Sequence, residues 1–197
     1  MRTNIPRLPP LTDDQLDAEQ EAIIAPFREI GADFGVSRAL VRHPVALKAF
    51  RTWATYVMIE RNPLPERERE ILALRTAWLV KSGYVWSRHI PYGQKAGLSA
   101  EEMEALKRPP SERAWSAADA ALIATADALI SDFFVPDDVW DSLSTHFNDR
   151  QCMDAIFVVG HFAMLAMFLN TAGVPIDGDV ALDPDLDLRP RTPADAA

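Results

Sequence analysis

The feature that most constrains this chain is a run from Ala155 to Leu169 that is apolar almost throughout, yet carries Gly160 and His161 inside it. A half-buried strand alternates apolar and polar residues. A run this long without alternation reads as a helix that other elements must cover. It is also short for crossing a bilayer. The expectation is therefore a core helix with other helices around it, capped by Asn148 or Asp149 and ending near Asn170–Gly173.

The remaining punctuation agrees with an all-α chain. Thr12 with Gln15 fits a capping box that opens a helix, and Pro26 is expected to interrupt or kink it. A short helix is expected near Ser37–Arg42. Pro44 can occupy the first turn of a helix reaching about Glu60. After the turn at Asn62 to Pro65, Glu66, Glu68 and Glu70 suit the positive end of a new helix. It runs through Leu79, with a break at Ser82–Gly83 and a second segment stopped by Gly97. Ser99 opens a short helix from 100 to 107. Ser116 caps one reaching about Phe134, and Pro136 starts one to about His146. No segment shows sustained β alternation. The expected organisation is one helical domain over residues 1–175, extended and Pro-rich over 1–11. An acidic Pro/Asp-rich tail follows over 176–197 and includes Asp177, Asp179 and Asp195. It holds too little apolar surface to fold by itself.

Composition narrows the function. Asp and Glu number 29 against 20 Lys and Arg, a formal charge of −9, which would repel phosphate backbones. A nucleic acid is not an expected partner, and neither is a membrane. The single cysteine, Cys152, rules out an intramolecular disulfide and a Cys-rich metal site. No His/Asp/Glu spacing suggests a metal, and no Gly-rich loop suggests a nucleotide, so no cofactor is expected. The N-terminus has no apolar signal core, and the expected location is the cytoplasm.

The residues with chemistry to offer gather around His89. On a continuous helix, Ser82, Val85, Trp86 and His89 fall close to one face. The break at Ser82–Gly83 would let Glu70 approach them from the preceding helix. A carboxylate beside an imidazole can orient the ring while the ring moves a proton. Arg75 sits in an apolar run and needs a partner, either a structural carboxylate or that of a substrate. His161, within the most apolar helix, needs a hydrogen-bond partner and could share a pocket with His89. Tyr84 and Trp86 are candidate pocket walls or core residues.

Leu64 through Glu70, then Leu74-Arg75, Trp78-Leu79, Tyr84 to His89 and Ala96-Gly97-Leu98, follow in an order that resembles the carboxymuconolactone decarboxylase-like group. Gly160-His161 and Leu169 to Val174 are similar to the closing helix of its longer members. The resemblance implies a compact multi-helix bundle of the alkylhydroperoxidase D-like type. It also implies a homo-oligomer, whether dimer, trimer or hexamer. Thiol-dependent members of that superfamily place a glutamate ahead of a Cys-x-x-Cys-x-x-x-His run. Glu70 and His89 match the glutamate and the histidine, but the cysteine positions fall on Ser82 and Val85, which offer no thiolate. Non-thiol relatives carry acidic residues beside the aromatic pair, where this chain has Gly83 and Val85. That implies a different and more apolar substrate.

The expected function is a cofactor-independent lyase, decarboxylase or isomerase acting on a small organic acid or lactone. In it, His89 and Glu70 are the catalytic residues. Tyr84, Trp86, Ser82, Arg75 and His161 contact the substrate. The alternatives are a non-catalytic ligand-binding or oligomeric scaffold and, further off, a thiol-dependent peroxidase.

Overall fold

The computed structural model describes residues 1–59, 62–178 and 180–190. Among these residues there are nine α-helices and no strand. They are α1 (Ala18–Glu29), α2 (Gly35–Leu40), α3 (Pro44–Met58), α4 (Glu66–Leu79), α5 (Gly83–Lys95), α6 (Ala100–Ala105), α7 (Ala117–Asp132), α8 (Asp137–His146) and α9 (Asp149–Ala172).

Most helix ends lie where a short polar side chain can satisfy the orphan amides. Ser82, Ser99, Ser116 and Asn148 each accept from the first turn of the helix that they open. Gly173 ends α9 with φ +71, a left-handed geometry that only glycine adopts without strain. One expectation near the N-terminus is corrected. Thr12 and Gln15 do form a capping box, but it closes only a 3-10 turn, Asp13–Gln15. Asp17, whose side chain accepts from Gln20 N, then starts α1. Pro26 lies inside α1 without ending it. The helix is amphipathic, with Ile24 fully buried, so packing outweighs one lost backbone bond. The expected end of α3 at Glu60 lies outside the described residues.

The most enclosed helix is α4. Nine consecutive residues, Arg69 to Ala77, are buried, and α5, α7 and α9 pack around it. Its charged sequence hides this, because the polar residues it buries carry partners. Arg75 donates to both oxygens of Asp127, from Nε at 2.6 Å and Nη2 at 2.9 Å, and from Nη1 to the carbonyls of Leu106 and Arg108. The run over 155–169 was expected to be covered and too short for a bilayer. It belongs to a 24-residue helix, α9, which by length and composition alone could cross a membrane. Just over half of its most apolar window, 56%, is buried inside the molecule. Met153, Gly160, Met164 and Met167 are exposed on its outer side.

The described part of the tail lies on the body. Leu186 is fully buried, Leu182 packs on the core, and Lys107 holds Asp183 at 2.6 Å while its ammonium faces the Trp78 and Trp86 rings. Asp177 accepts from the amide of Gly35 and from the hydroxyl of Tyr84. So 176–178 and 180–190 pack on the body's apolar surface. Asp179 and Asp195 lie outside the described residues.

Candidate functional site

A tight turn brings α4 and α5 together. Lys81 takes a left-handed φ of 55°, and the amide of Ser82 bonds back to Ala77 O. The chain thereby reverses, and α5 runs beside α4. Glu70 and His89 meet across this hairpin, with Nδ1 of His89 2.8 Å from Oε2 of Glu70. The contact lets the neutral ring donate from Nδ1 to the carboxylate oxygen, an acceptor. That tautomer leaves Nε2 with its lone pair, and Nε2 has no hydrogen-bond partner among the described residues. Phe162 of α9 meets the His89 ring edge to face at 4.6 Å, and Tyr92 stands 5.5 Å away. The carboxylate side chain is 7% exposed and the imidazole 14%.

The pair lies in the wall of a cavity of about 400 Å³. Its apolar lining comes from Phe34 and Val36 of the α2 region, Met58 and Ile59 at the end of α3, Val85 of α5 and Leu165 of α9. The acidic and basic side chains on it are Glu66, Arg69, Glu70, Arg88, His89 and Lys95. Arg69 donates to the carbonyl of Leu64, while Lys95 and Glu66 stand exposed at the rim. Arg88 is half-buried, with its guanidinium 3.6 Å above the Phe34 ring. One wall is tied by Asp177, which holds both Gly35 and Tyr84. A side chain on Gly35 would collide with that carboxylate. Burial and the neighbouring Asp177 push the Tyr84 hydroxyl far above its ordinary pKa, so it stays protonated as a donor.

The structure brings three of the seven sequence-derived site residues to this cavity: Glu70, Tyr84 and His89. It places the others elsewhere. Ser82 is fully buried, with its hydroxyl at the N-terminus of α5. Trp86 lies on the far side of α5, edge-on to Trp78 at 6.1 Å. The face of α5 that meets the cavity is Tyr84, Val85, Arg88, His89, Tyr92, Lys95 and Ala96, which leaves Trp86 outside by helix geometry. The donors of Arg75 are taken up by Asp127 and two carbonyls. His161 is 4% exposed, stacked on Phe50 at 5.2 Å, and its Nδ1 has no partner. Burial, helped by the nearby His89, lowers its pKa from 6.5 to about 4, so it is neutral at pH 7.

Sequence reading missed Arg69, Arg88 and Tyr92. For Arg88 and Tyr92 the available signal was the i, i+4 relation to Tyr84 and the spacing of Tyr92 from His89. Cys152 is buried, its thiol bonded to the Phe147 carbonyl and raised in pKa by burial, and it does not line the cavity. It is therefore poorly placed and poorly ionised for thiol chemistry there.

Residues 44–127 match the carboxymuconolactone decarboxylase family, a stretch that contains both members of the Glu70–His89 pair. That stretch is less than half of the chain. No curated protein sequence matches it. Among solved structures, it is similar to an uncharacterized peroxidase-related protein from Silicibacter sp. TM1040. The TM-score is 0.78 and the identity 19%, over 91% of this chain and 95% of that one. A second peroxidase-related protein, an alkylhydroperoxidase AhpD core from Ralstonia eutropha JMP134, gives a TM-score of 0.67 at 17% identity, over 94% and 96% of the two chains. The debrominase Bmp8 in its apo form gives 0.70 at 12%, over 86% and 91%. At these identities the likeness is one of fold.

Proposed function

We propose that this protein is a cofactor-independent proton-transfer enzyme of the lyase or isomerase type acting on a small organic acid or lactone. One observation carries the reading: a buried carboxylate fixes the imidazole of His89 at 2.8 Å in the wall of a mostly apolar cavity. In that reading Nε2 of His89 takes a proton from carbon, and Glu70 stabilises the imidazolium that forms. The apolar walls keep bulk water from competing for the proton. Tyr84 shapes the wall rather than reacting, since its hydroxyl is already given to Asp177.

The test is deuterium incorporation in D2O, followed by proton NMR across a panel of short carboxylic acids and their lactones. Exchange at the carbon next to the carboxyl, lost in His89→Gln, is the expected result. No exchange or turnover with any member of the panel would remove proton transfer as the function and leave a ligand-binding scaffold in its place. The outer side of α9, with Met153, Gly160, Met164 and Met167, and Trp53 of α3 supply an apolar surface that a homo-oligomer would bury. Sedimentation velocity measures that assembly.

A further inference from the structure

Two arginines in the cavity wall, Arg69 and Arg88, pair with no carboxylate among the described residues, and Arg69 is buried with Nη1 given to the carbonyl of Leu64. Arg28, Arg38, Arg67 and Arg75 each grip a carboxylate side chain. Arg88 is half-buried in a mostly apolar lining and pairs with no carboxylate among the described residues. What holds it is the Phe34 ring, over which the guanidinium lies at 3.6 Å. A guanidinium held over a ring face keeps its N–H donors for another group. Lys95, by contrast, is an exposed ammonium at the rim. A half-buried guanidinium without a carboxylate partner has donors to offer a ligand.

We infer that Arg88 is the specificity-determining residue of this site and receives the carboxylate of a small, largely apolar organic acid. The inference deepens the proton-transfer reading and rests on it for the second half of the substrate's description. Arg88 and His89 are consecutive on α5 and line the same cavity. A short acid held at the guanidinium therefore presents its neighbouring carbon to the imidazole side of the pocket. Charge held at the guanidinium also favours the electron-rich enolate that proton removal leaves on the acid. The bond broken is C–H, its proton passes to Nε2 of His89, and the electron pair stays on the substrate as an enolate until reprotonation or loss of a leaving group. The apolar body of the acid has Val36, Met58, Ile59 and Leu165 to pack against. Arg75 does not fill this role, because Asp127 already occupies its fork.

The experiment is isothermal titration of the full chain with phenylacetate, with phenylacetamide as its neutral isostere, and with inorganic phosphate. Phenylacetate is expected to bind in the cavity, with the amide about tenfold weaker and phosphate weaker still. Arg88→Gln should weaken phenylacetate by about tenfold or more and leave the amide unchanged, while Arg88→Lys recovers part of the loss. Thermal midpoints of both variants establish that they are folded. Equal binding of phenylacetate to wild type and Arg88→Gln overturns the assignment, as does no binding of phenylacetate at all. Phosphate binding as tightly as phenylacetate overturns the carboxylate class. Binding is read apart from turnover. Arg88-dependent binding that His89→Gln leaves intact, with no proton exchange in wild type, would sink the proton-transfer reading while this one stands.

Discussion

Two imidazoles meet the ring of Phe162, and they differ in what reaches their nitrogens. His89 stands edge to face against it at 4.6 Å and His161 at 5.0 Å. His89 has Glu70 on one nitrogen and a cavity before it. His161 has Phe50 stacked on its face, no partner at Nδ1 and almost no exposure. The same side chain is a candidate base in one place and a neutral, aromatic-like core residue a few ångströms away. What separates them is a single carboxylate and access to the cavity, not the apolar character of the neighbours, which both share. An apolar helix around a histidine therefore says little about its work until the partner of its nitrogen is known.

Four measurements would break or sharpen this contrast. His89→Gln should lower proton exchange by on the order of 10³-fold with the fold retained. His161→Gln should change it by less than about threefold. The reverse ranking would mean that the two roles have been exchanged. Next comes pH. The pKa of His161 is lowered by burial from 6.5 to about 4, so the unfolded chain binds a proton there before the folded chain does. The stability this contributes is complete above pH 6.5 and is lost as pH falls from 6.5 towards 4. At roughly 1.4 kcal/mol per pH unit the loss is about 3 kcal/mol. Urea midpoints between pH 7 and pH 4 should show that loss in wild type and much less of it in His161→Phe; parallel curves would refute the burial argument. Glu70→Gln, which keeps the shape but not the charge, should cost about 10²-fold in exchange. A change mainly in substrate affinity would instead make Glu70 a binding residue. The smallest effect concerns the wall: Tyr84→Phe should cost about 2 kcal/mol of stability by removing a hydrogen bond to a charged acceptor. Differential scanning calorimetry reads it directly.

Much of this fold was legible because its helix ends are written in local chemistry. Ser82, Ser99, Ser116, Asn148, Gly97 and Gly173 each act where they stand, so their meaning survives without tertiary knowledge. The Glu70–His89 pairing was also within reach, because one turn separates their helices. What could not be read depended on distant partners. Trp86 seemed to share a face with His89 until the packing of Trp78 fixed which side of α5 looks inward. Arg88 gains significance only from Phe34, far back in the chain and on another element. Arg75 and Asp127 lie on α4 and α7, and nothing local told a structural carboxylate from a substrate's. The acidic tail looked unfoldable because its apolar partners, the surfaces that cover Leu182 and Leu186, belong to the body.

The double grip of Asp177 has a consequence for the order in which the molecule is assembled. Glu70 and His89 are 19 residues apart, so their contact can form with the α4–α5 hairpin alone. The wall beside them waits for Asp177 to meet Gly35 across 142 residues and Tyr84 across 93. Closing such long loops is slow compared with forming local helices. During refolding, helical circular dichroism should therefore return first. The acid–base pair would exist for a time as an open, solvated couple, and ligand recognition would appear only when the last part of the chain has docked.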